Sequence, residues 1–171
     1  MRYEILAGKA TIESVEAFLH DIDAIARSSN ATIQAVDASK VAGTKHVEDA
    51  VRQSLRSFAD GSNIATNLGV EILLHLSACR QIQKALNLGV QKGEIDVLFV
   101  VVGTRKAIER SAQKLSQLIV VDPCVIDFHE AKREALMQTF NITEEEVRAV
   151  GGSHRIPELV RERLALFDAF E

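Results

Sequence analysis

Six consecutive apolar residues, Val97-Leu98-Phe99-Val100-Val101-Val102, constrain this chain more than any other feature. No side chain in the run suits a solvated face, so the segment reads as a central strand covered on both sides, the position strands hold when helices flank a sheet. It is also the longest unbroken apolar run, and far too short to span a bilayer.

The neighbouring pattern supplies the rest of an α/β domain. Tyr3 to Gly8 reads as a first strand, and Thr11 is placed to cap a helix with Ile12, Val15, Leu19, Ile22 and Ala26 on its stripe. Thr32 to Val36 is a short second strand. Val47, Ala50, Val51, Leu55 and Phe58 recur at helical spacing, and Gly61 ends that helix ahead of a polar loop from Asp60 to Asn67. Gly69 to Leu76 reads as a third strand, followed by a helix from Ser77 to about Leu88 with Gly89 at its end. Thr104 opens a further helix along Ile108, Ala112, Leu115 and Leu118. Ile119-Val120-Val121 is a weak strand stopped by Asp122-Pro123.

Helices dominate from there. Thr143-Glu144-Glu145-Glu146 is a capping box, and Gly151-Gly152 terminates its helix. Pro157 fits the first turn of a last helix whose stripe is Ile156, Leu159, Val160, Leu164, Phe167 and Phe170. The stretch from Leu76 to Asp96 is long enough for a right-handed crossover, which makes the strands on either side of it parallel. The expected architecture is an α/β fold, a mixed sheet of about four strands flanked by helices, with a helical C-terminal part. At 171 residues it reads as a single domain, 1–171.

Composition excludes several classes. With 47% hydrophobic residues, 26% charged residues and 2 prolines, the chain is neither disordered, collagen-like nor a disulfide scaffold. A formal net charge of -4 rules out a bulk polycation, so any nucleic-acid contact is a local patch. Cys79 and Cys124 form neither a C-x-x-C pair nor a zinc spacing, which suits a reducing compartment. Met1-Arg2-Tyr3-Glu4 does not begin a signal peptide, and a cytoplasmic, soluble protein is expected. The sequons at Asn30 and Asn141 are then chance matches or caps.

The sequence holds no phosphate loop, no G-x-G-x-x-G and no G-x-S-x-G. His129-Glu130 begins like a zincin helix, but Arg133 occupies the place of the second histidine. His20, His46, His75, His129 and His154 share no ligand spacing. No catalytic residue, metal or cofactor is expected.

Two expected helix starts break a local rule. Ser77-Ala78-Cys79-Arg80 puts Arg80, with Lys84 one turn on, where a helix N-terminus favours acids, and no acid occurs from Arg80 to Lys92. Gly103-Thr104-Arg105-Lys106 repeats the pattern. Parallel strands bring both starts to one sheet edge, where an external anion would resolve the conflict. Alternatively, these cations are solvated or pair with carboxylates elsewhere. Ile82, with Cys79 and Leu86 on its stripe, is either core or an apolar contact for a bound nucleotide. With 7 Phe, 1 Tyr and no Trp there is little aromatic platform, so a single strand would rest on apolar pockets, N–H groups and a few cations.

From Asn63 to Leu86 the chain resembles the small tRNA-binding accessory subunit of the KEOPS complex, the family that includes the human PRPK-binding protein. The most specific stretch is Glu71-Ile72-Leu73-Leu74 followed by Ser77-x-x-Arg80-Gln81-Ile82. The helix through Val51 and Phe58, Phe140-Asn141-Ile142-Thr143-Glu144 and the apolar last helix follow the same order. The resemblance implies a non-catalytic subunit of the machinery that places threonylcarbamoyl on an adenosine beside the tRNA anticodon. It implies two partners, a kinase-like ATPase subunit and the single-stranded 3′ CCA end of tRNA.

Carried over by position, Ser77, Ala78, Arg80, Gln81 and Ile82 belong to the tRNA-end site, with Lys84, Asn63 and Thr66 nearby. Arg105 and Lys106 join them from the anion argument. The terminal helix, docked in its own core or offered to the kinase-like subunit, would give Phe167, Ala169 and Phe170 to that partner. The chain departs from the family at Ala78, where glycine is common, and at His75, where an aromatic residue is frequent. The competing classes are a small-molecule or nucleotide-binding enzyme using strand ends near Ser77 and Thr104, and a scaffold without RNA binding.

Overall fold

The apolar run lies inside an 11-residue strand, Gly93–Gly103, of a computed structural model that describes residues 1–169. In chain order the elements are β1 (Arg2–Ile12), α1 (Val15–Ser29), β2 (Thr32–Asp37), α2 (Thr44–Asp60), α3 (Leu68–Ser77), α4 (Ile82–Ala85), β3 (Gly93–Gly103), α5 (Arg105–Leu115), β4 (Val120–Val121), α6 (Arg133–Phe140), α7 (Glu144–Val150) and α8 (Ile156–Ala169). They form two compact units. Met1–Ala38 with Gly89–Val125 makes a sheet unit, and Ser39–Leu88 with 126–169 makes a helical one.

The sheet has the order β2-β3-β1-β4, and every pairing is antiparallel. β1 pairs with β3 from Arg2 opposite Gly103 to Ile12 opposite Gly93. β1 and β2 therefore run the same way with β3 between them, and β3 and β4 run the same way with β1 between them. These are two interleaved split β-α-β units, the ferredoxin-like arrangement. The α/β class and the four strands stand as expected. The sheet is antiparallel rather than mixed, because Gly69 to Leu76, read as the parallel neighbour of Val97–Val102, is helical and belongs to the other unit.

Strand alternation explains the core of the sheet unit. Ala10 and Ile12 of β1, Ala35 of β2, and Val97, Phe99 and Val101 of β3 share the face that packs with Ile22 of α1 and Ile108 and Leu115 of α5. Leu98, Val100 and Val102 on the alternate face are also buried, as a fully apolar run requires. β1 continues through Ile12, so α1 starts later than Thr11. Ser14 caps it by accepting from the Ala17 N–H. Gly8 faces β4 at a point where a Cβ would collide with the Val120 carbonyl.

In the helical unit, α2 ends as read at Gly61, which adopts the left-handed conformation. α3 is buried on nearly every side, its leucines and isoleucine together with the polar Glu71, His75 and Ser77; Asn67 caps it by accepting from the Val70 N–H. The capping box of α7 forms between Thr143 and Glu146, and Gly151 closes the helix. Ile156, Leu159, Val160 and Leu164 of α8 are buried. Lys132, also buried, donates from Nζ to the carbonyls of Val41 and Ile126.

Candidate functional site

The segment the sequence singles out, Ser77 to Lys84, is the exit from a helix rather than the entry to one. Ser77 is the last residue of α3, and its hydroxyl donates back to the Leu74 carbonyl. Ala78 follows with φ 49° and ψ 40°, the left-handed conformation that glycine adopts at lowest cost. The Ala78 and Cys79 N–H groups close the helix on the carbonyls of His75 and Leu74. Arg80 therefore stands just past the negative end of a helix dipole, where a cation is favoured. The expected conflict between Arg80 and a helix start does not exist. Its physical motive for an anion at that point falls with it.

After Gln81, which is extended, α4 makes a single turn, so no long helix runs from Ser77 to Leu88. The brevity of α4 brings out what the sequence left open for Ile82. Ile82 is 41% exposed and Leu86 46% exposed, so neither is core; Ala85 and Leu88 hold the turn down instead. Arg80, Gln81, Ile82, Lys84 and Leu86 thus form an exposed apolar and cationic surface without an acidic residue in the segment.

Beneath it lies a chain of contacts. The Arg80 guanidinium stands 5.3 Å from the centroid of the Phe167 ring of α8. Phe167 is 7% exposed and meets the buried His75 ring edge-on, with centroids 4.8 Å apart. His75 Nε2 lies 3.2 Å from Glu71 Oε1, and its Nδ1 lies 3.3 Å from Gln53 Oε1. The buried Glu71 carboxylate accepts from the Ile64 N–H (3.0 Å), the Ala65 N–H (2.7 Å) and the Ser57 hydroxyl (3.1 Å). Sequence reasoning missed this network. Its signal was Glu71 and His75 four residues apart, a spacing that joins two side chains on a helix.

The other expected site residues are placed separately. Asn63 donates to the Ala65 carbonyl and Thr66 is exposed, in the loop before α3. The Ser77–Lys84 segment leaves the opposite end of that 10-residue helix, about 15 Å away. Arg105 and Lys106 do occupy a helix start, capped by Thr104 accepting from the Ala107 N–H, but in the sheet unit. Arg105 pairs with Glu109 at 2.9 Å and Lys106 is exposed. The parallel strands that were to bring Ser77 and Thr104 to one edge are absent from the sheet, so the strand-end enzyme site loses its premise.

On α8, Phe167 is committed to the packing beneath Arg80, whereas Ala169 is exposed and Leu166 is 49% exposed. Phe170 lies outside the described residues. His129 is exposed, and Arg133, four residues on, bonds Ser153 Oγ and pairs with Glu144. The hydrogen bond that Arg133 donates to Glu144 holds the Glu144 carboxyl below the usual carboxylate range. Among the described residues no three His, Cys, Asp or Glu side chains are grouped to hold a metal, and no helix is long and apolar enough to cross a membrane.

The fold and this segment define an α/β protein whose candidate site is an exposed apolar and cationic surface backed by a buried polar network. The chain belongs to the family described as kinase binding protein CGI-121, matching it over residues 12–168. No curated protein matches the chain.

Proposed function

We propose that the chain is a non-catalytic accessory subunit of the KEOPS complex, acting in the cytoplasm. It binds the kinase-like ATPase subunit and brings tRNA to it by the single-stranded 3′ CCA end. The observation that carries this reading is the match to a kinase-binding family over nearly the whole chain. The exposed Leu166 and Ala169 of α8 support a protein partner there. The RNA half of the reading is supported by the Arg80–Leu86 surface, where Arg80 and Lys84 supply charge and Ile82 and Leu86 supply apolar contact for bases.

The test is titration of intact and CCA-trimmed tRNA against the full chain, with capture of the kinase-like subunit. About three phosphates neutralised on a single strand give a log-log salt slope near −2. Trimming the CCA end, or Arg80→Glu, should weaken binding by about tenfold and flatten the slope. Ala169→Arg should weaken capture of the partner while melting stays near wild type. Equal binding of trimmed and intact tRNA would remove the RNA half of the reading, and unchanged capture would move the partner interface off α8.

A further inference from the structure

Of the two cationic helix starts expected from the sequence, Thr104-Arg105-Lys106 is the one that forms, and the helix it opens is charged along its whole solvent face. Ala107, Ile108, Ser111 and Leu115 of α5 are buried, with Ile108 and Leu115 packed into the core of the sheet unit beside Phe99. That leaves Arg105, Lys106, Glu109, Arg110, Gln113 and Lys114 exposed, four cations against one acid in a chain whose net charge is -4. Lys106, Arg110 and Lys114 recur every fourth residue, so they form a row about 12 Å long. Like charges at that spacing destabilise a helix, and the first turn holds no acid to offset the dipole. Among the described residues no carboxylate pairs with any of the three: Glu109 is engaged by Arg105, and Lys114 Nζ donates to Ser28 Oγ.

Resting on the RNA half of the function proposed above, we propose that this face of α5 is a second RNA contact, one that holds the phosphates of a base-paired segment without reading its sequence. The chemistry of the face selects that partner. Its exposed positions carry no aromatic ring on which an unpaired base could stack, and no large apolar side chain that could enter a lipid surface. What it offers is a row of cations on a helix fixed to the sheet, and a duplex, with one charge per roughly 1.7 Å of its axis, sets several phosphates along that length. The Arg105–Glu109 pair is exposed and contributes little in water, so it does not withhold Arg105 from a phosphate. A second copy of the chain is a poorer match. The acids it could offer, on α1, are mixed with cations, and Asp23 is already paired with Arg27.

The experiment titrates a blunt RNA hairpin, which has no single-stranded 3′ end, against the full chain. Three duplex phosphates neutralised give a log-log salt slope of about −2.7, so binding should weaken roughly fortyfold between 50 and 200 mM salt. Lys106→Gln combined with Arg110→Gln, both at exposed positions, should leave melting near wild type, weaken hairpin binding about tenfold and bring the slope to about −0.9. Lys106→Arg combined with Arg110→Lys keeps the charge and should bind as wild type does, and hairpins of different paired sequence should bind alike. No hairpin binding by the wild type, unchanged binding in the double glutamine variant, or dependence on the paired sequence overturns the inference. Loss of self-association or of binding to anionic vesicles in that variant, with the hairpin unaffected, overturns it too and assigns the face to a second copy or a lipid surface. Failure of the hairpin while intact tRNA still binds through its CCA end strikes the α5 contact alone; failure of both strikes the RNA half of the proposed function as well.

Discussion

Val97–Val102 in β3 and Glu71–Leu76 in α3 are equally buried, yet one is extended and the other helical. Four of the six residues in the first run are valines, β-branched and stiff, with β1 and β2 on either side to pair their backbone. The second is rich in leucine and contains Glu71 and His75. Those two would stand about 13 Å apart in a strand and meet only if the backbone coils. Where apolar residues leave the backbone undecided, the few polar side chains among them decide it. The helical unit should therefore depend on its buried polar groups, and the sheet unit on packing.

The largest expected effect tests that contrast directly. Glu71→Leu strips two backbone N–H groups, Ser57 and His75 of their acceptor, and should cost about 4 kcal/mol in urea unfolding. Val100→Ala in β3 should cost about 2 kcal/mol, by loss of burial and a small cavity. The reverse ranking would mean that packing dominates both units.

A somewhat smaller effect comes from pH. His46 in α2 is fully buried; its Nδ1 accepts from the Ala42 N–H, its Nε2 donates to the Leu76 carbonyl, and Phe140 meets it edge-on. Burial pushes its pKa down to about 4. The folded state therefore holds a neutral ring while the unfolded chain takes up a proton near 6.5. The stability is fully present above pH 6.5 and is lost as pH falls from there towards 4, by about 3 kcal/mol in all. His46→Leu should flatten that part of the pH profile. A profile as steep as wild type would place the acid sensitivity elsewhere.

The smallest effect runs the other way. Ala78 bears a methyl group in a left-handed conformation, so Ala78→Gly should raise stability by about 1 kcal/mol. A loss on that substitution would show that the methyl group is held by packing.

These positions also show what was legible in the sequence. Boundaries with a local cause were: Gly61 after α2, Thr104 before α5, the Thr143–Glu146 box of α7 and the stop of β4 at Asp122-Pro123 each follow from chemistry within four residues. α3 was not, because a helix buried on every side has lost the alternation that separates coil from strand. One misread element then propagated. Taking Gly69–Leu76 as a strand turned Ser77 into a helix start, reversed the sign of the dipole at Arg80, and made the sheet partly parallel. The reason first given for an anion at Arg80, a cation at a helix start, therefore does not hold. The contact of Arg80 with Phe167 joins positions 87 apart in the chain, and no local pattern announces it.

Gly8 has a consequence for solubility. β4 pairs with β1 through two residues alone, Val121 opposite Gly8 and Val120 opposite Lys9, and that strip depends on the missing side chain at position 8. With any other residue there the short strand is pushed away and the N–H and C=O groups it occupies lie bare along an edge. Bare strand edges recruit other strands, including those of identical chains, and the resulting stacks grow without limit. A hydrogen atom in place of a methyl group thus lets β4 cover the part of the β1 edge at Gly8 and Lys9.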